Sequence, residues 1–216
     1  MIPFLKREGF LLLLLAAALI AAIVIYPHMP EQVPIHWNAR GEVDGYGSRL
    51  FGTFFLPVLN LGMYALFLFL PRLDPTRANY EKFAGSYRFI RYTFHLFMAF
   101  MFALTAAAGL GRQVDIGLWV ASGVAILFIL LGNVLGRVRH NYFVGFRFPW
   151  TLANETVWKK THQLGSKLMV AGGLLGLAGV LALDGDARFT ALMVCIFLPM
   201  IVTIVYSYLV FRRIGS

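Results

Sequence analysis

The sequence predicts an all-α polytopic membrane protein with six transmembrane helices, a structured loop outside the membrane and a helical loop inside it. Of its 216 residues, 59% are hydrophobic and only 13% are charged, whereas a soluble domain carries about 25% charged residues. The apolar residues gather in blocks of about 20, the length that crosses a bilayer as a helix. This pattern excludes a soluble enzyme, a secreted disulfide scaffold and a disordered tail.

Six apolar blocks are predicted to be spans: Phe10–Tyr26, Phe51–Leu70, Tyr92–Gly109, Ile116–Leu135, Leu168–Leu183 and Phe189–Phe211. Lys6 and Arg7 precede the first block, as in a signal peptide, but it ends without the small-residue pattern at which such peptides are cleaved. We therefore expect it to remain as a signal anchor. The single cysteine, Cys195, lies in the sixth block, so it makes no intrachain disulfide and is expected to be a packing residue.

The distribution of basic residues predicts the orientation of the chain, whose net charge is +9. If the N-terminus is inside, fifteen Lys and Arg lie in cytoplasmic segments and four lie in outer loops, namely Arg40, Arg49, Arg112 and Arg188. Under the positive-inside rule, this bias places both termini in the cytoplasm. The charge therefore reports topology and brings contact with the anionic lipid of the inner leaflet. Nucleic-acid binding is not expected.

Two loops are long enough to carry a function. We divide the chain into an N-terminal two-helix unit, residues 1–71, with an outer loop at 27–50, and a four-helix unit, residues 72–216, with an inner loop at 136–167. The connections at 111–115 and 184–188 are long enough only for turns. We therefore look for function in the two long loops.

The predicted spans lack the chemistry that a transporter needs, and the chain lacks the common catalytic motifs. None of the ten acidic residues lies inside a predicted span, although ion-coupled transporters place carboxylates there. There is no H-E-x-x-H motif, no G-x-S-x-G nucleophile elbow and no phosphate loop. The five histidines fall on both sides of the predicted membrane and cannot all bind one metal. No catalytic residue, metal or cofactor is predicted.

The outer loop is predicted to be an ordered cap. Three prolines fall within eight residues at its start and favour an extended, stiff chain, and glycines then indicate turns. Two interpretations stay open, a lid on the helix ends and a recognition surface. The candidate binding residues are His36, Trp37, Asn38, Glu42, Asp44 and Tyr46. A metal held by His36, Glu42 and Asp44 is a lesser alternative.

The inner loop begins as a basic, aromatic stretch and is predicted to continue as a helix. Asn154 is a plausible N-cap, and the helix that follows has one apolar face leading into the fifth span. An amphipathic interfacial helix is one interpretation, and a site for a partner or ligand is the other. The candidate residues of such a site are Asn133, Arg137, Asn141, Arg147, Trp150, Asn154, Trp158 and His162.

Two motifs in these loops resemble one family, the SdpI family of bacterial membrane immunity proteins. The outer loop resembles the pattern LP-x-x-IP-x-HW-N-x-x-G-E-x-D-G-x-G of an N-terminal domain of unknown function common in that family, through Met29-Pro30, Pro34-Ile35-His36-Trp37-Asn38, Gly41-Glu42, Asp44-Gly45 and Gly47. The inner loop resembles the family's second signature through Gly132-Asn133, Asn141, Phe143, Gly145, Arg147, Pro149-Trp150-Thr151-Leu152, Asn154, Val157-Trp158, Thr161-His162 and Gly165. Phe146 and Phe148 replace the usual Ile and Thr.

The resemblance implies a role in the bacterial cytoplasmic membrane that is not enzymatic. It implies protection from a secreted peptide toxin, which would meet the outer loop, and, in some members, signalling by recruitment of a cytoplasmic transcriptional repressor to the membrane. The alternative is a membrane-embedded enzyme or lipid-modifying protein that uses the Asn, Arg, Trp and His residues of the inner loop. The sequence names neither the toxin nor the repressor, and it predicts no oligomeric state.

Overall fold

Six long helices dominate the computed structural model, which describes the backbone of residues 2–214 and the side chains of residues 8–214. Within that range, six helices are long and apolar enough to cross a membrane. They are α1 (Ile2–Ile25), α2 (Arg49–Leu73), α4 (Ala84–Gly109), α5 (Ile116–Leu135), α7 (Glu155–Ala182) and α8 (Gly185–Ile214). Two short helices, α3 (Asn79–Lys82) and α6 (Pro149–Ala153), lie in the connections. The predicted all-α membrane fold with six spans is confirmed.

The largest difference from the predicted spans is at α7, which begins well before the apolar block. The side chain of Asn154 accepts hydrogen bonds from the backbone N–H of Thr156 (2.8 Å) and Val157 (3.1 Å), so it caps the helix as predicted. These bonds satisfy two of the N–H groups that a helix start leaves without a partner. The predicted inner-loop helix and the fifth span are therefore one continuous helix.

The outer loop forms a β-hairpin of two antiparallel strands, β1 (Gln32–Trp37) and β2 (Val43–Ser48). The sequence predicted order and turns here but not strand pairing. Pro34 lies in β1 opposite Tyr46, and proline is rare in strands because it has no N–H to donate. The Arg49 N–H donates to the Glu31 carbonyl at 3.0 Å. Because antiparallel pairs alternate, Pro34 then occupies a pair that exchanges no hydrogen bonds.

Contacts divide the chain into two compact units, Met1–Leu66 with Phe94–Val120 and Phe67–Thr93 with Ala121–Ser216. In the first unit, Ala18, Ala22 and Phe102 form an apolar cluster, and His95 Nδ1 lies 2.6 Å from Asn60 Oδ1 in a buried hydrogen bond between α4 and α2. The core of the second unit is a cluster of buried residues, Tyr80, Phe83, Tyr87, Leu135, Val138 and Trp158. The division of the sequence at residue 71 stays a prediction.

Glycines on α7 provide close helix packing in the second unit. A Cβ added at Gly172 would overlap the Cys195 carbonyl oxygen of α8, and one at Gly173 would lie 2.9 Å from the Ala125 carbonyl oxygen of α5. Both neighbours are backbone atoms, which cannot move aside cheaply. Cys195 lies where α8 meets this glycine face, which agrees with the packing role predicted for it.

Two apolar side chains anchor the hairpin on the ends of helices in the first unit. Met29 and Val33 are fully buried. A Cβ added at Gly52 would lie 2.5 Å from the Val33 Cβ, and one at Gly109 would lie 2.5 Å from the Met29 Cε. Val33 can therefore pack against α2 only because Gly52 has no side chain.

We predict that Gly52→Ala lowers the free energy of unfolding by about 1–3 kcal/mol, because the new methyl group must displace Val33 and with it the start of β1. The measurement is thermal unfolding of purified protein in detergent, together with the rate of proteolysis within the hairpin. Gly62→Ala is the matched control, since it lies on the same helix and its Cβ would meet nothing within 4 Å. Equal stability of the two variants would contradict the proposed anchoring.

Candidate functional site

The predicted outer-loop residues all lie on the hairpin, and most are exposed. We call the side chains of His36, Trp37, Asn38, Glu42, Asp44 and Tyr46 the hairpin surface. Tyr46 exposes 58% of its area, His36, Glu42 and Asp44 are exposed, and Trp37 and Asn38 are half-buried. Ile35 and Val43 add apolar exposed area beside them. The hairpin therefore presents aromatic, apolar and charged groups on a fixed backbone.

Asn38 builds the turn of the hairpin. Its Oδ1 accepts hydrogen bonds from the backbone N–H of Arg40 (2.9 Å) and Glu42 (3.1 Å), and its Nδ2 donates to Glu42 Oε2 (2.8 Å). Gly41 has a φ of +81°, which a residue with a side chain rarely adopts. Hydrogen bonds from Asn38 and Arg40, and the charge of Arg40, lower the pKa of the Glu42 carboxyl. Asn38 therefore has a structural role in the surface.

His36 and Asp44 form an exposed pair across the two strands. The Nδ1 of His36 donates to Oδ1 of Asp44 at 2.5 Å. Glu42 turns away from this pair toward Asn38 and Arg40. Among residues 8–214, no three His, Cys, Asp or Glu side chains are grouped as a metal site requires, so the structure does not support the lesser alternative of a metal held by His36, Glu42 and Asp44. The pair leaves His36 and Asp44 available for polar contacts.

Three residues of the predicted inner-loop cluster, Asn141, Trp158 and His162, are buried and form a hydrogen-bond network that shapes the loop. Asn141 is fully buried. Its Nδ2 donates to the carbonyls of Arg139 (2.8 Å) and Val144 (3.0 Å), and its Oδ1 accepts from the N–H groups of Phe143 (2.9 Å) and Val144 (2.6 Å). Asn141 thus uses all its hydrogen-bonding capacity on the backbone of its own loop.

Trp158 and His162 form the centre of this network. Their rings stack with centroids 4.0 Å apart, and the Trp158 indole N–H donates to the Val138 carbonyl at 3.0 Å. His162 Nδ1 donates to the Trp158 carbonyl (2.8 Å), and its Nε2 accepts from the Phe146 N–H (2.9 Å). Both ring nitrogens are therefore occupied, and a buried imidazole held in this way cannot serve as a general base or a metal ligand.

Gly145 makes the approach of His162 to the loop possible. Its φ is +114°, and a Cβ there would overlap the imidazole ring of His162. A side chain at residue 145 would therefore remove both the backbone conformation and the space for the ring. This is a physical reason for glycine at this position of the motif.

Arg147 and Trp150 lie at the edge of the network. The Arg147 Nη1 donates to the Tyr142 carbonyl at 3.1 Å, and the rest of its side chain is exposed. The Trp150 indole N–H donates to the Ser207 hydroxyl of α8 at 2.8 Å. Asn133 and Arg137 are also exposed, and within the described part of the chain neither joins the network.

Asp74 is the principal residue of this site that the sequence analysis missed. It is 2% exposed, and its carboxylate accepts from the Thr76 N–H (2.7 Å), the Thr76 hydroxyl (2.7 Å), the Tyr80 hydroxyl (3.2 Å) and the Tyr142 N–H (2.9 Å). Asn79 adds a bond to the His140 carbonyl at 2.9 Å. These bonds join the connection between α2 and α4 to the loop after α5.

The hydrogen bonds keep Asp74 ionised. Burial raises the pKa of its carboxyl, but the bonds from Thr76, Tyr142 and Tyr80 together outweigh burial and hold the pKa below its ordinary value. Burial and the charge of Asp74 raise the pKa of the Tyr80 hydroxyl, which stays protonated and can donate. A sequence signal existed only in the local Asp74-Pro75-Thr76 turn, because Tyr142 is 68 residues away along the chain.

These features define a class of protein: a multi-pass membrane protein whose two long loops are folded, one as an exposed hairpin and one as a buried polar network. Residues 13–61 match the family described as Domain of unknown function (DUF1648), and residues 137–207 match the SdpI/YfhL protein family. The resemblance to the SdpI family that the motifs indicated is therefore confirmed over the second half of the chain.

Two proteins of Bacillus subtilis (strain 168) are similar to the chain. "Immunity protein SdpI" is 26% identical over 211 residues, which cover 98% of this chain and 99% of that protein. "Uncharacterized membrane protein YbgB" is 46% identical over 43 residues, which cover 20% of this chain and 47% of that protein. No solved structure matches the chain. The similarity to an immunity protein therefore extends over both loops and all six long helices.

We predict that Asp74→Asn lowers the free energy of unfolding by about 2–4 kcal/mol, because the amide accepts fewer hydrogen bonds and brings an N–H₂ group into a place built for an acceptor. The measurement is thermal unfolding in detergent at neutral pH. Asp186→Asn is the control, since Asp186 is exposed in the first turn of α8.

The pH dependence of stability checks the same interpretation. Because folding lowers the pKa of Asp74, its stabilisation is complete above the unfolded value of about 4 and is lost as the pH falls through the folded value. The wild type should therefore lose more stability on acidification than Asp74→Asn does. Parallel pH curves for the two proteins would show that Asp74 is not held as an ion.

Proposed function

We propose that this chain is an immunity protein that protects its cell from a secreted peptide toxin, and that the hairpin surface is where the toxin binds. The observation that carries the proposal is the full-length similarity to Immunity protein SdpI in a chain whose long exposed loop is folded. A non-enzymatic role also agrees with the inner loop, where His162, the residue best suited to acid–base chemistry, has both nitrogens occupied.

The hairpin surface has the features of a binding surface that is formed before its partner arrives. The anchoring of Met29 and Val33 and the turn built by Asn38 hold the backbone in place. A rigid surface loses little conformational entropy on binding. Tyr46 supplies exposed aromatic area, and aromatic anchors contribute a large share of the energy of interfaces.

The proposal includes an orientation in which the hairpin faces outward and both termini lie in the cytoplasm. Its support is the distribution of Lys and Arg, fifteen against four, under the positive-inside rule. A secreted toxin reaches the cell from outside, so this orientation brings the hairpin to the side on which the toxin arrives.

The proposal also includes a signalling role on the cytoplasmic side of the membrane, where the protein would recruit a transcriptional repressor. Of the inner-loop residues proposed as a partner site, only the exposed ones could contact a partner without unfolding the loop. Asn133, Arg137 and Arg147 are exposed, whereas Asn141, Trp158 and His162 are buried. The signalling role therefore rests on the exposed group.

We predict that Tyr46→Ala weakens toxin binding by about 2 kcal/mol, or about 30-fold, and lowers protection accordingly. His36→Ala and Asp44→Ala should also reduce protection, because each removes one partner of the exposed pair. The measurement is survival of sensitive bacteria that express each variant at matched membrane levels, under a toxin against which the unchanged chain protects. Gln32→Ala, exposed at the start of β1, is the control. Full protection by all three variants would move the toxin site away from the hairpin.

Two reporter variants, each with one cysteine added to the native Cys195, test the predicted orientation. Ala39→Cys lies in the hairpin turn and Ala78→Cys in the connection between α2 and α4, and both positions are exposed. A membrane-impermeant thiol reagent applied to intact cells should label the first and spare the second, and it should label both after the membrane is opened. The unchanged chain, with only Cys195 in α8, is the control. The reverse pattern would overturn the orientation.

A further inference from the structure

One end of the second unit carries a strong excess of positive charge on its surface. Eleven exposed basic side chains lie on the segments around the α2–α4 connection, the loop after α5, the start of α7 and the end of α8: Arg72, Arg77, Lys82, Arg88, Arg137, Arg139, Arg147, Lys159, Lys160, Arg212 and Arg213. The exposed acidic residues on these segments are Glu81 and Glu155. We call this set of basic side chains the basic end.

The segments that carry these charges are held together by hydrogen bonds, so the charges share one surface. Asp74 accepts from Tyr142, which joins the α2–α4 connection to the loop after α5. Trp158 donates to Val138, which joins the start of α7 to the same loop. Trp150 donates to Ser207, which joins α8 to the residues that follow this loop. These bonds hold the segments side by side, so their positive charges lie on neighbouring segments and together favour anions.

Aromatic rings lie beside the arginines at the end of α8. Phe148 stacks on Trp150 with ring centroids 5.2 Å apart, and Trp150 meets Tyr208 edge-on at 5.4 Å. Arg147 adjoins Phe148 in sequence, and the Arg212 Nη1 lies 3.5 Å from the Tyr208 hydroxyl. Aromatic rings and arginines together at the end of a span are typical of the depth at which lipid headgroups lie.

The other connections of the chain have balanced charge. At the start of α8, Arg188 pairs with Asp184 of the preceding turn at 2.6 Å, and in the hairpin Arg40 pairs with Glu42 at 3.1 Å. Arginines whose charge is matched by a carboxylate attract anions weakly. The excess of positive charge is therefore a property of the basic end and not of loops in general.

We propose that the basic end binds the headgroups of anionic phospholipids, with Arg147 and Arg212 contacting lipid phosphates beside the Phe148–Trp150–Tyr208 rings. A guanidinium group can hold two phosphate oxygens at once. The rings place their apolar parts against the acyl chains of the same lipids. None of these residues belongs to the hairpin, so the proposal does not depend on toxin binding or on the side of the membrane that the basic end faces.

The test titrates the purified full-length protein in detergent with phosphatidylglycerol or phosphatidylcholine and counts bound lipids by native mass spectrometry. We expect phosphatidylglycerol to bind at least about tenfold more tightly than phosphatidylcholine, and this preference to weaken as salt is raised. Arg147→Gln with Arg212→Gln should reduce the preference about tenfold. The matched control removes two charges elsewhere, with Arg40→Gln and Arg112→Gln, and should keep the preference.

Two further variants keep the test decisive. Arg147→Lys with Arg212→Lys retains the charges and should keep most of the preference, which separates loss of charge from loss of fold. If the Gln pair melts at a lower temperature without lipid, the single variants Arg147→Gln and Arg212→Gln replace it, and each should lose part of the preference.

Three outcomes would overturn the proposal. The first is equal binding of the two lipids by the unchanged protein, and the second is an equal loss of preference in the test and control pairs. The third is loss of signalling through a cytoplasmic repressor in the Gln pair without any change in lipid binding, which would make the basic end a surface for a protein partner.

Discussion

The constraint on which both long loops depend is that the polar backbone of a chain leaving an apolar helix must find hydrogen-bond partners close to the membrane, where water is scarce. The hairpin meets this constraint mainly with backbone, through the ladder between β1 and β2, and the Asn38 side chain completes it in the turn. The loop after α5 has no strands and meets it with side chains. Asn141, His162 and Asp74 bond to main-chain groups that would otherwise be buried without partners.

The two solutions leave different groups available for function. In the hairpin, the two strands satisfy each other's backbone, so strand side chains such as Tyr46 and His36 remain exposed. In the loop after α5, the polar side chains are themselves the partners of the backbone. A cluster of buried Asn, Trp and His is therefore not evidence of an active site here. The polar side chains that suggested a catalytic or binding site in the sequence form the hydrogen bonds that hold the folded loop together.

The sequence predicted what depends on composition and local pattern. The six spans follow from apolar length, and the Asn154 cap follows from residue type at a helix start. Strand pairing in the hairpin was not predictable because Pro34 and the glycines of β2 oppose it locally, and burial of Met29 and Val33 compensates. The role of Asp74 was not predictable because its partner Tyr142 is distant in the chain.

The positive charge has two consequences, the orientation of the chain in the membrane and the recognition of lipid headgroups. The sequence alone does not separate them. As a count along the chain, it predicts orientation, because insertion responds to Lys and Arg near the ends of spans whatever the folded structure. As an arrangement in space, it depends on the bonds of Asp74 and Trp158, which gather separate segments into one surface. Moving Arg147 to another position of the same loop would leave the count unchanged and would remove it from the rings at Phe148 and Trp150. Topology therefore responds to the number of charges, whereas recognition of a headgroup responds to their placement.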